Sequence, residues 1–149
     1  MPGPTILWFR RDFRLSDHAA LTAAVARGGP VVPVFVWDEV VDTLGAAHRW
    51  RLQQAVAHFA QTLADMGSRL ILRRGPAAKV LPALVAELQA DAVFWSRAYD
   101  PASQARDTAV KTTLKAQGTL AQSFPGHLLF EPWTVQTKQG SYFKVFTPF

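Results

Sequence analysis

Five short apolar runs, each separated from the next by a stretch of helical character, leave this 149-residue chain few folds to choose from. The runs are Thr5 to Phe9, Val31 to Trp37, Leu70 to Leu72, Ala92 to Trp95 and Leu120 to Phe124. Apart from Thr5 and the polar pair Gln122-Ser123 they are apolar instead of alternating, so they read as strands covered on both faces, as in a parallel sheet. Between them, Ser16-Asp17 reads as the N-cap of a helix running through Ala19, Ala20, Ala23 and Ala24 to the stop at Gly28-Gly29. Leu52, Val56, Phe59 and Leu63 recur at helical spacing between Ala46 and Met66. A third helix follows Gly75-Pro76 and carries Val80, Leu81, Leu84, Val85 and Leu88; a fourth spans Ser103 to Ala116. Strands alternating with helices predict an α/β fold, a doubly wound five-stranded parallel sheet with helices on both faces, Rossmann-like in outline. Pro33 lacks a ladder donor inside the second strand and predicts an edge or bulge there.

The pattern ends at Phe124, so residues 1–124 read as the α/β domain and 125–149 as an irregular, aromatic-rich tail. Trp133 to Thr137 and Tyr142 to Phe146 could pair as a loose hairpin around Lys138-Gln139-Gly140-Ser141. The tail aromatics Phe130, Trp133, Tyr142, Phe143, Phe146 and Phe149 either pack back on the domain or meet a further one.

Chemistry enters at the carboxyl ends of the strands, where open α/β sheets bind ligands. Those ends carry Arg10-Arg11-Asp12, Val36-Trp37-Asp38, Arg73-Arg74-Gly75 and Ser96-Arg97-Ala98-Tyr99-Asp100. Guanidinium groups beside aromatic faces suit a planar, partly anionic heterocycle. The balance of 16 Lys plus Arg against 11 Asp plus Glu, a net +5, points to anionic partners too, although the basic residues are scattered. No G-x-G-x-x-G follows the first strand, no G-x-x-x-x-G-K-[ST] is present, and no G-x-S-x-G elbow places a nucleophile. Absence of cysteine removes disulfide, thiolate-zinc and cysteine-nucleophile chemistry. His18, His48, His58 and His127 lack metal-ligand spacing and read as surface or packing residues. Asp38, Glu39 and Asp42 read as a solvated acidic loop. From the residues alone, the chain is a ligand-binding α/β domain with no recognisable catalytic set. The opening residues lack a signal peptide's features, and no run is long enough for a membrane span, which predicts a cytoplasmic protein.

The segment Ile6-Leu7-Trp8-Phe9-Arg10-Arg11-Asp12-Phe13-Arg14-Leu15-Ser16-Asp17 resembles the opening motif of the DNA photolyase and cryptochrome family. Val32 to Val36, Gly67 to Leu70 leading into Arg74-Gly75, Ala92 to Trp95, Ala105-Arg106-Asp107 and Lys144 to Phe149 fit the same family in order. The resemblance covers nearly the whole chain. It implies an N-terminal antenna domain joined by a long linker to a helical domain. In the repair enzymes that second domain binds FAD and, under light, splits pyrimidine dimers flipped out of DNA. The resemblance implies that this chain is the antenna domain, ending where the linker begins, and that it has no catalysis of its own. The partners implied are the helical FAD domain and, through the full-length protein, damaged DNA. A cryptochrome photoreceptor is the alternative within the family, and a stand-alone nucleotide-binding domain the alternative outside it.

The resemblance also implies an antenna pocket at Phe35, Val36, Trp37 and Asp38, at Arg49, and from Ala98 through Ser103 to Arg106. Trp37 would stack on the ring system and Arg49 would neutralise a phosphate or ring carbonyl. The folate-binding branch uses an Asn-Glu pair where Ala102-Ser103 stand here, which favours FMN or a deazaflavin over methenyltetrahydrofolate. The deazaflavin match is imperfect, because Ala98 stands where an acidic residue is expected. For Arg10 to Arg14 the expected duty is structural, through buried ion pairs at a domain interface.

Overall fold

The computed structural model describes residues 1–145. Strands β1 (Thr5–Phe9), β2 (Val31–Trp37), β3 (Ile71–Arg74), β4 (Ala92–Ser96) and β5 (Leu120–Phe124) form one sheet. Its order is β3-β2-β1-β4-β5 and every pairing is parallel. The helices are α1 (Ala19–Ala26), α2 (Glu39–Asp42), α3 (Ala46–Asp65), α4 (Ala77–Leu88) and α5 (Pro101–Ala116). The doubly wound sheet expected from the alternating runs is therefore present, and its order reverses between β1 and β4.

Successive strand residues point to opposite faces, which divides the core in two. Ile6, Trp8, Val34, Val36, Val93 and Trp95 face α4 and α5, joined by Leu81, Leu84, Val110 and Leu114. Leu7, Phe9 and Phe94 face α1 and α3, with Ala20, Ala24, Phe59 and Leu63. β1 is buried along its whole length, which is why its sequence is apolar without alternation.

Several local expectations are corrected. The cap of α1 is His18, not Ser16-Asp17: Asp17 turns through a left-handed φ of 49°, leaving His18 extended so that its Nδ1 accepts the Leu21 amide at 3.1 Å. Pro33 causes no bulge; it stays in register opposite Leu7. β3 begins its pairing only at Val34, so the missing Pro33 donor is tolerated. Asp38 is no solvated loop residue. It is 1% exposed and caps α2, accepting the amides of Val40 and Val41 at 2.9 and 3.1 Å.

The described part of the tail forms no hairpin. Pro132 instead opens a 3₁₀ turn, Pro132–Thr134, because its fixed φ suits a helical first position and not a central strand. The Thr137 amide donates to the Ser141 carbonyl at 2.7 Å, closing a tight turn. Phe146, the last residue of the expected second strand, and Phe149 lie outside the described residues. Among the described ones, Phe130, Trp133 and Tyr142 are exposed.

One turn is sterically exacting. A Cβ on Gly29 would lie 2.6 Å from the Gly3 carbonyl oxygen and 2.7 Å from that of Pro2. Gly29→Ala should therefore cost about 1–3 kcal/mol in urea denaturation, the usual penalty for forcing a methyl into a closed contact.

Candidate functional site

A cavity of about 460 Å³ opens at the carboxyl ends of β1 and β2, beside the point where strand order reverses. Its apolar wall is Phe13 and Phe35 with Val40 and Val41 from α2, Leu44 just after it and Leu52 from α3. Its polar rim is Arg11, Arg51, His48 and His127, and Arg10 and Arg106 lie deeper, at its base.

Arg106 and Asp38, from opposite sides of the sheet's switch point, meet at the base. Arg106 Nη1 donates to Asp38 Oδ2 at 2.9 Å and Nη2 to Asp107 Oδ1 at 2.9 Å. Arg10 grips both oxygens of Asp107 at 2.6 and 2.7 Å and donates to the Ser96 carbonyl. Both guanidiniums lie over the Trp8 ring, at 4.7 Å for Arg10 and 4.9 Å for Arg106. Burial pushes the Asp38 carboxyl up, against the pull of Arg106. This cluster ties β1, α2, β4 and α5 together beneath the cavity, so the buried ion pairs of Arg10 lie within the domain.

Behind the rim, Asp12 accepts the Arg10 amide at 3.0 Å on one oxygen and meets His18 Nε2 at 2.8 Å on the other. Because His18 Nδ1 already accepts from Leu21, its proton sits on Nε2, the nitrogen that faces Asp12 Oδ2. Burial opposes the Asp12 charge, yet the hydrogen bonds from His18 and the Arg10 backbone hold its carboxyl well below the usual range. His127 is pushed down, first by burial and then by Arg10, Arg14 and Arg11 acting against Asp12, which keeps it neutral at physiological pH.

Six of the eight expected pocket residues line this cavity: Phe35, Val36, Asp38, Ala98, Ser103 and Arg106. Trp37 and Arg49 do not. Trp37 lies on the sheet face toward α3, donating its indole N–H to Asp42 at 2.7 Å beneath the Arg74 guanidinium. Arg49 sits on α3 one residue past the facing position; His48, Arg51, Leu52 and Ala55 are the ones turned inward. The signal for them was available. Stepping back four residues from the apolar stripe at Leu52, Val56, Phe59 and Leu63 reaches His48, and Arg51 precedes Leu52 on the same face. Arg11 and Arg51 face the cavity from regions the solvent also reaches, and the single lining carboxylate, Asp38, is already paired with Arg106. The cavity thus holds apolar walls, a buried neutralised base and a cationic mouth. That arrangement suits a flat heterocycle with an anionic tail.

Comparison with known proteins places the architecture. The DNA photolyase family model matches residues 5–149. A deoxyribodipyrimidine photo-lyase of Agrobacterium fabrum is 45% identical over 147 residues, covering 99% of this chain and 31% of that protein. Cryptochrome-1 of Arabidopsis thaliana is 39% identical over 151 residues, covering 99% of this chain and 22% of that protein. The crystal structure of a bacterial class III photolyase from Agrobacterium tumefaciens matches with a TM-score of 0.91 at 42% identity, over 99% of this chain and 31% of that one. The chain thus spans less than a third of the length of these relatives.

Proposed function

The chain belongs to the DNA photolyase family, and from that premise we propose that it is the light-harvesting part of a light-driven deoxyribodipyrimidine photolyase. The observation that carries this is the cavity: apolar walls beneath a cationic mouth, at the switch point of the sheet. The bound antenna chromophore would supply light absorption and pass its energy to FAD. Phe13, Phe35 and Leu52 would pack the ring system, while Arg11 and Arg51 would hold the anionic tail. FAD, damaged DNA and carbon–carbon bond cleavage belong in this proposal to a helical partner domain. The same pocket would serve a cryptochrome; the higher identity to the photo-lyase than to Cryptochrome-1, 45% against 39%, favours repair.

For the chromophore itself we propose a flavin or deazaflavin. Ala102 points to solvent and only Ser103 of that pair reaches the cavity, offering a neutral hydroxyl where the folate branch has its Asn-Glu pair. A fluorescence titration of the chain with FMN, a deazaflavin and methenyltetrahydrofolate tests both levels. Saturable binding of a flavin or deazaflavin is expected. Arg51→Ala should weaken it about tenfold, the usual worth of one charge-assisted hydrogen bond. Arg49→Ala, outside the cavity, should leave it unchanged. Binding of methenyltetrahydrofolate alone, weakened by Arg51→Ala, would keep the site and overturn the flavin choice. No binding, or binding indifferent to Arg51, would overturn the site.

A further inference from the structure

A second cavity of about 460 Å³ lies at the carboxyl ends of β4 and β5, away from the α2–α3 side. Its floor is Trp95 and Ser123, and its wall is the α5 face of Gln104, Thr108 and Lys111, spaced four and three apart. Trp133, from the 3₁₀ turn, closes one side and is 57% exposed. This turn is anchored rather than loose: Glu131 pairs with Arg97 and accepts the Tyr99 hydroxyl at 2.9 Å. Arg97 also donates to the Ser123 carbonyl at 3.0 Å and lies 5.5 Å from the Trp133 ring centre.

Most polar groups around this cavity are already committed. Arg97 is neutralised by Glu131, and Asp107 by Arg10 and Arg106. Lys111 is not: it makes no ion pair among the described residues. The cavity therefore presents an aromatic face, at Trp133, and one uncommitted cation. The complement of that set is a planar ring with an anionic substituent.

We propose that this second cavity binds a nucleoside monophosphate, with the base packed on Trp133 and the phosphate paired with Lys111. The site meets the antenna cavity only at Ala98, which lines both. Its volume lies within the range of small-ligand pockets, and its wall of α5 residues and anchored turn exists without the ligand.

Calorimetric titration of the chain with uridine 5′-monophosphate is the test. Saturable binding is expected, with Lys111→Ala and Trp133→Ala each weakening it about tenfold and Arg51→Ala leaving it unchanged. Lys111 and Trp133 reach solvent and carry no core packing, so both variants should keep the wild-type circular dichroism spectrum. Uridine, lacking the phosphate, should bind wild type as weakly as the monophosphate binds Lys111→Ala. No saturable binding at millimolar ligand overturns the proposal. So does binding unmoved by either substitution, or binding lost in Arg51→Ala, which would place the nucleotide in the antenna cavity.

Discussion

Arg106→Ala is expected to lower the unfolding free energy by about 3–5 kcal/mol, the cost of removing one partner from a buried ion cluster. The Arg106 side chain is 5% exposed and its two partner carboxylates 1% and 13%. Without it, Asp107 keeps its two bonds from Arg10, but Asp38 keeps only the amides of Val40 and Val41. A carboxylate would then remain buried with no cation beside it. The Trp8 face would also lose one of the two guanidiniums lying over it. A domain of this size has about 5–15 kcal/mol of stability in total, so the variant should be near its folding threshold. Its thermal midpoint should fall by roughly 10 °C. Arg73→Ala provides the contrast. Its pair with Glu87 is solvent-reached on both sides, at 38% and 58%, and should contribute less than about 1 kcal/mol. Urea denaturation of the two variants side by side decides the matter. Equal, small losses would mean that the cluster is geometric ornament rather than the tie between β1, α2, β4 and α5.

The sheet was legible because its strands advertise two-sided burial: Ile6 to Phe9 and Val93 to Trp95 leave no polar position that could face water. Helix α3 was legible for a related reason, since Val56, Phe59 and Leu63 fall on one buried face. What local patterns could not show was pairing between residues far apart in the chain. Asp38 looked like one of three acids in a loop; only the fold brings Arg106, 68 positions later, to 2.9 Å from it. His18 looked like an isolated histidine, and only the left-handed Asp17 turns it into both a helix cap and the partner that faces Asp12. The pocket split along the same line. Strand-end and loop residues such as Phe35, Ala98 and Ser103 could be placed from the topology alone. Arg49 and Arg51 differ only in helical phase, 200° apart at 100° per residue, and the stripe at Leu52, Val56, Phe59 and Leu63 favours Arg51. The tail defeated pattern reading because Thr137 to Ser141 holds turn chemistry that serves equally for a hairpin and for an isolated turn.

Asp12 should make the domain acid-sensitive, and Asp12→Asn should remove that sensitivity while costing about 2–3 kcal/mol at neutral pH. Asp12 Oδ1 accepts the Arg10 and Arg11 amides at 3.0 and 3.3 Å, and Oδ2 faces His18 Nε2 at 2.8 Å. An asparagine has one acceptor oxygen, so whichever way it turns, its own N–H₂ confronts a buried donor. Near pH 7 the native carboxylate is charged. Its affinity for a proton is depressed on folding, despite burial, by His18 and the Arg10 backbone. The unfolded chain, with an ordinary Asp near 4, therefore takes up a proton first as the pH falls. Stability from this group is fully present above that value and declines steadily below it. The wild-type urea midpoint should fall between about pH 5 and pH 3, where other carboxylates contribute a shared background. Asp12→Asn carries that background but not the Asp12 share, so the gap between the two proteins should narrow as the solution is acidified. Parallel profiles, with a constant gap at every pH, would show that the variant loses only shape and that the Asp12 charge contributes nothing to the fold.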